Sequence, residues 1–164
     1  MSHGGGARAE CLGHTFINTS LLEAALRHAT HASRGVPSNE RLAWLGDAVI
    51  EQAVSLLLYA RHPGMTKGDL TQLRARFVSD VHLARLAKGA GLGARLSAAP
   101  RMASELHVLA GALEAVVGAI QLDGGDAMAA VKLVFAGWEP EAATEPPPRG
   151  GRSSSLPAPR RRAQ

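Results

Sequence analysis

The sequence predicts an all-α domain, on three observations. Aromatic residues make up only 4% of the chain and apolar residues 46%, with alanine, leucine, valine and glycine dominant, which suits close-packed helices better than a β-sandwich. Apolar residues recur at three- and four-residue steps along several stretches. Glycine and proline clusters cut those stretches into helix-length pieces. With 164 residues the chain has room for one core and a short appendage.

Residues 1–11 are glycine-rich and are expected to be flexible. Ser20 and Glu23 form a capping box that starts a helix over about 20–31, with Leu21, Leu22, Ala25 and Leu26 inward. Gly35, Pro37 and Ser38 break the chain. A second helix follows over about 39–61, with Leu42, Leu45, Val49, Ala53, Leu56 and Ala60 as its inward stripe. It stops near Pro63, which has no N–H and disfavours helix before it. Thr66 caps a third helix over about 67–88, with Leu70, Leu73, Phe77, Val81 and Ala84 on one face. Gly89 and Gly91 close it. The fourth helix, about 101–122, is the most regular: Leu106, Leu109, Ala110, Leu113, Val116, Val117 and Ile120 repeat along it. Gly124 and Gly125 end it, and Asp126 caps a last helix over about 126–136. No strand is predicted. The folded domain is therefore placed at 12–138. The segment 139–164 is rich in proline and arginine, cannot bury enough apolar surface to fold, and is expected to be disordered. Its Arg160, Arg161 and Arg162 are either solvated charge or a basic arm for salt-dependent phosphate contacts.

The net charge of +4 and the pI near 10.0 fit a polyanionic partner better than an acidic one. Cys11 is the single cysteine, which excludes an intramolecular disulfide and a thiolate metal cluster. No apolar run of membrane-spanning length and no secretory leader is evident, so an intracellular, cytoplasmic location is expected, without a clear targeting segment.

One feature of the second helix carries chemistry. At 100° per residue, Glu40, Asp47 and Glu51 fall within about 40° of one another. Carboxylates on one stripe repel, and a divalent cation is the usual reason for keeping them together. A solvated acidic face has the same pattern, and periodicity does not separate the two. Glu114 lies at the edge of the fourth helix's apolar stripe, between Gly111 and Gly118. Each glycine costs about 1 kcal/mol relative to alanine in a helix interior, which points to a close approach by another helix or a ligand. Glu114 is then either a boundary carboxylate paired with an arginine or a partner of Glu40 and Asp47. The histidines show no metal spacing. Gly89, Gly91 and Gly93 are not a phosphate loop, because no strand precedes them. Arg74 and Arg76 are solubilising charge or part of a basic track.

The run Asn39-Glu40-Arg41-Leu42-Ala43-Trp44-Leu45-Gly46-Asp47-Ala48-Val49 closely resembles the ribonuclease III signature N-E-R-L-E-F-L-G-D-[SA]-V. The stretch from Leu113 and Glu114 through Asp123 resembles that family's second motif, V-E-A-L-I-G-A-I-Y-L-D. Leu73 to Ser79 is similar to its middle R-A-x-x-V segment, and Leu12 to His28 to its opening helix. The resemblance implies a dimerising, all-helical endonuclease domain that cuts structured or double-stranded RNA. It implies magnesium, or manganese, as cofactor and a homodimer as the working form. Asp47, Glu114 and Glu40 become the expected catalytic and metal-binding residues, and Arg74 and Arg76 the expected RNA contacts. Three family acids are replaced, by Ala43, Gly111 and Lys67. Mini-ribonuclease III is similar in this respect, with alanine at the same place and a glutamate matching Glu51. It also lacks a separate double-stranded-RNA-binding domain, for which there is no room after residue 138. Resemblance to it implies trimming of ribosomal RNA precursors, with Glu51 as a candidate for a lost ligand. The same replacements fit another reading: a catalytically degenerate fold that binds RNA or a ribosome without cutting.

Overall fold

In the computed structural model, residues 9–33, 35–99 and 101–136 are described. A two-stranded hairpin, β1 (Glu10–Cys11) and β2 (His14–Thr15), precedes seven helices: α1 (Thr19–Ala25), α2 (Glu40–Arg61), α3 (Lys67–Phe77), α4 (Asp80–Gly89), α5 (Leu92–Arg95), α6 (Leu106–Leu122) and α7 (Ala127–Phe135). The all-α expectation holds, with the hairpin as a small addition. α6 is the central helix, and α1, α2, α4 and α7 all pack on it. From Val108 to Ile120 only Gly111 and Glu114 escape full burial.

The hairpin sits where a loose segment is expected, and it buries Cys11. Leu12 and Gly13 at its turn both have positive φ (50° and 76°), the conformation that a two-residue hairpin turn requires. The side chain of Asp123, just past α6, fastens this end. It accepts the N–H groups of Ile17 (2.7 Å) and Asn18 (2.8 Å) and pairs with His14 Nε2 at 2.8 Å. The Asn18 N–H, ahead of His14 and Ile17, holds the Asp123 carboxyl below its ordinary range. The clasp is therefore complete at neutral pH and is lost as pH falls through that lowered value. Asp123→Ala is expected to lower the thermal midpoint and to open residues 9–18 to limited proteolysis, both read on the purified chain.

Four element boundaries differ from the expectation. Asn18, not Ser20, caps α1, accepting the Ser20 N–H. α1 stops at Ala25 because the next residues pair with another segment: Ser97 N–H donates to Leu26 O and His28 N–H to Ser97 O. A single 3-10 turn, Ala29–His31, follows. The expected helix over 67–88 is two helices. Ser79 leaves helical geometry and its hydroxyl caps α4, while the Thr66–Asp69 box caps α3 as expected. The fourth helix begins at Leu106, after a run of turns.

The inward stripe of α2 is rotated from the expected one. Leu42, Gly46, Ile50, Ala53, Val54 and Leu58 are buried, whereas Leu56 and Ala60 are exposed. The cause is a close crossing at Gly46, which turns that residue to the middle of the contact. A Cβ on Gly46 would fall on the Glu114 carbonyl, 2.6 Å from its carbon and 2.9 Å from Gly118 N. A Cβ on Gly118 would strike the Leu42 carbonyl. Val81 and Leu106, also expected inward, are exposed. Among the described residues, α2 alone reaches by length and composition what a membrane-crossing helix needs, with a mean hydropathy of 1.3, against the expectation of no such run. Its apolar residues are shared between the face on α6 and an outer face bearing Trp44, Leu56 and Tyr59.

Candidate active site

The crossing of α2 and α6 brings Asp47 and Glu114 together. Asp47 follows Gly46, and the Glu114 backbone is what Gly46 touches. Burial, then the charge of Asp47, then that of Asp80, pushes the Glu114 carboxyl up to about 7. Asp47 is itself raised, first by desolvation and then by Glu51. More than a third of Asp47 is open to solvent.

Glu114 is half-buried, and among the described residues neither it nor Asp47 has a lysine or arginine within ion-pairing distance. The alternative of a boundary carboxylate paired with arginine therefore does not describe Glu114. Two carboxylates that feel each other's charge, with no lysine or arginine in ion-pairing reach among the described residues, are suited to a divalent cation, which takes one or two such ligands and completes its shell with water and phosphate oxygens. Among the described residues no set of three acidic, histidine or cysteine side chains converges closely enough to hold an ion alone. The donor set thus fits a two-carboxylate site.

The other expected residues are placed differently. Glu40 is on the same side of α2, seven residues and about 10 Å of helical rise from Asp47. Its carboxylate accepts the Ser38 hydroxyl at 2.6 Å, and the structure does not bring it to the pair. Arg74 points back to α2 and donates to Ser55 Oγ at 3.0 Å, whereas Arg76 is exposed, so the two do not form one track. Ala43 is half-buried, and Lys67 is exposed at the start of α3. Beside Gly111 an added Cβ would meet nothing within 4 Å, so this glycine, unlike Gly118, answers no close packing. Asp80, the first residue of α4, adds a third element to the acidic surroundings of Glu114. It was missed because the helix break at Ser79 was missed; Ser-Asp as a cap and first turn was the available signal.

The model of the ribonuclease-III-like family matches residues 18–136. The chain belongs to the ribonuclease III family. It is 42% identical over 148 residues to Ribonuclease 3 of Nitrosomonas europaea, covering 87% of this chain and 59% of that protein. It is 42% identical over 132 residues to Ribonuclease 3 of Leifsonia xyli subsp. xyli, covering 74% and 54%. The chain thus spans little more than half the length of these relatives. Among solved structures, the nuclease domain of ribonuclease III from Campylobacter jejuni superposes with a TM-score of 0.70 at 32% identity, covering 76% of this chain and 92% of that one. A region of that protein is described as involved in dimer formation. Within this ribonuclease III domain, the Asp47–Glu114 pair is the part of the acidic surface that the fold itself builds.

Proposed function

We propose that the chain is the nuclease domain of an intracellular endoribonuclease that hydrolyses phosphodiester bonds in structured, double-stranded RNA, with ribosomal RNA precursors as a substrate class. The observation that carries this is the Asp47–Glu114 pair, held by the Gly46–Gly118 crossing with no lysine or arginine in ion-pairing distance among the described residues. Asp47 and Glu114 would hold a magnesium or manganese ion. When bound, that ion supplies an activated water and neutralises charge at the scissile phosphate. Glu114 must give up its proton to serve as a ligand, so its affinity for the ion rises with pH up to about 7. Glu40, held by Ser38, supports the rim. Arg76 is free to meet phosphate, while Arg74 first serves the contact between α2 and α3.

A second copy of the chain completes the enzyme. The outer face of α2 exposes Trp44 (79%) near its start and Leu56 (54%) and Tyr59 (75%) near its end, and large exposed apolar side chains along one helix are suited to an interface. Trp44→Glu is expected to convert a dimer to a folded monomer, seen by sedimentation velocity at unchanged circular dichroism.

The test of the activity is a long RNA duplex incubated with magnesium and the purified chain, alongside Asp47→Asn. Cleavage that disappears in the variant is the expected result. Duplex binding without cleavage by either protein overturns the proposal and favours the degenerate, RNA-binding reading that Ala43, Gly111 and Lys67 allow.

A further inference from the structure

The positive charge of the chain is not carried by its described body. Among the described residues eleven lysines and arginines meet eleven aspartates and glutamates, so the net charge of +4 lies outside them. Its densest part is the stretch after Glu145, which falls outside the described residues and holds Arg149, Arg152, Arg160, Arg161 and Arg162 with no acid among them. Several cations of the body are turned on the protein itself. Arg27 donates to Pro37 O at 3.2 Å, Arg74 to Ser55 Oγ at 3.0 Å and Arg95 to Glu10 O at 3.0 Å. Exposed ones, among them Arg61, Arg76, Lys88 and Lys132, are spread over four helices. The proposed cutting site is itself acidic: the charge of Asp80 falls on Glu114 and that of Glu51 on Asp47. A phosphate backbone approaching that site meets like charge, on a body with no net charge to draw it in. Proteins hold a duplex chiefly by replacing its counterions with lysines and arginines.

We infer that Arg149, Arg152, Arg160, Arg161 and Arg162 supply most of the chain's hold on duplex RNA, through phosphate contacts without sequence preference, while the body supplies the cutting site. The inference rests on the function proposed above. Covalent reach permits it. Arg149 is 13 residues and Arg162 is 26 residues past Ala136, the last described position, spans of up to about 45 and 90 Å. A body of this length has a radius of gyration of about 14 Å, so a duplex lying over the acid pair is within range of all five. All five are arginine and none is lysine, and the planar guanidinium fork matches phosphate through two hydrogen bonds at once.

The test is binding of a long RNA duplex to the full chain in chelator, read by fluorescence anisotropy across salt concentrations, with a melting curve for each protein. The full chain is expected to lose about 10²- to 10³-fold in affinity between about 50 and 200 mM salt. Combining Arg149→Gln, Arg152→Gln, Arg160→Gln, Arg161→Gln and Arg162→Gln should weaken binding about tenfold at the low end and make log K against log salt shallower by about 4 per chain. Lysine at the same five positions should keep the wild-type slope. A DNA duplex should show the same difference between the proteins, because the contacts are to phosphate. An unchanged slope in the glutamine variant overturns the inference. So does tighter binding or faster cleavage by that variant, the sign of arginines folded back on the acid pair. A lysine variant as weak as the glutamine one overturns charge as the cause. A wild-type slope below about 2 contradicts the inference without any variant. Duplex cleavage in magnesium reads the underlying function separately. An arginine-dependent slope without cleavage overturns the proposed function and leaves this inference standing.

Discussion

Glu114→Gln is expected to make the metal-free chain more stable and far less active, with the stability gain confined to higher pH. In the folded chain the Glu114 carboxyl sits at about 7, against 4.5 for the unperturbed group. Below the lower value it is protonated in both the folded and unfolded states. Between the two values only the folded state keeps the proton, so stability falls as pH rises, and the full cost is present above about pH 7. Glutamine removes that cost. Discounted for partial exposure, the gain at pH 8 is about 2 kcal/mol, vanishing near pH 4. Melting curves in chelator across pH 4–8 check it; a gain that is equal at both ends contradicts the raised carboxyl. Under the proposed function, cleavage of a duplex should fall by about 10²- to 10³-fold, since a neutral amide cannot balance the charge of the ion that Asp47 and Glu114 would hold.

Gly46→Ala is expected to damage the fold more than any other single methyl in α2. The added carbon would meet the Glu114 carbonyl carbon at 2.6 Å and Gly118 N at 2.9 Å. Both are backbone atoms of a central helix, which cannot step aside like the end of a side chain. Alanine improves helix propensity by about 1 kcal/mol, but forced separation of the helices costs more, about 3–5 kcal/mol in all. Against an ordinary total of about 5–15 kcal/mol, that is a large fraction. The urea midpoint measures it. Gly111→Ala is the control, with open space around its Cβ, and should stabilise by about 0.5–1 kcal/mol. If both glycines respond alike, the close crossing is not what Gly46 provides.

Much of this architecture is legible in the residues, for identifiable reasons. The start of α3 at Thr66, the end of α2 near Pro63 and the cap of α7 at Asp126 are set by local side-chain chemistry, and local chemistry is written in the sequence. The end of α1 at Ala25 is not, because it is decided by Ser97, about seventy residues away. The α2 stripe was misread for a related reason. Hydrophobic periodicity gives weight to Leu56 and none to Gly46, yet it is the missing side chain at Gly46 that draws the backbones together. Asp47 was legible as a candidate from the acidic stripe it shares with Glu40 and Glu51, and Glu114 from Gly111 and Gly118 beside it. Asp80 was not, since its helix begins at a serine that reads equally well as helix interior.

The Gly46–Gly118 crossing also bears on the order of events in folding. It joins segments about seventy residues apart in the chain, so a large loop must close before it rewards closure. The same encounter sets Asp47 beside Glu114, so the electrostatic repulsion is incurred at that step. A proton on Glu114, or a divalent ion between the two carboxylates, removes a barrier term as well as a ground-state one. Where this crossing forms in the folding transition state, the ion that would serve the chemistry would also speed the folding.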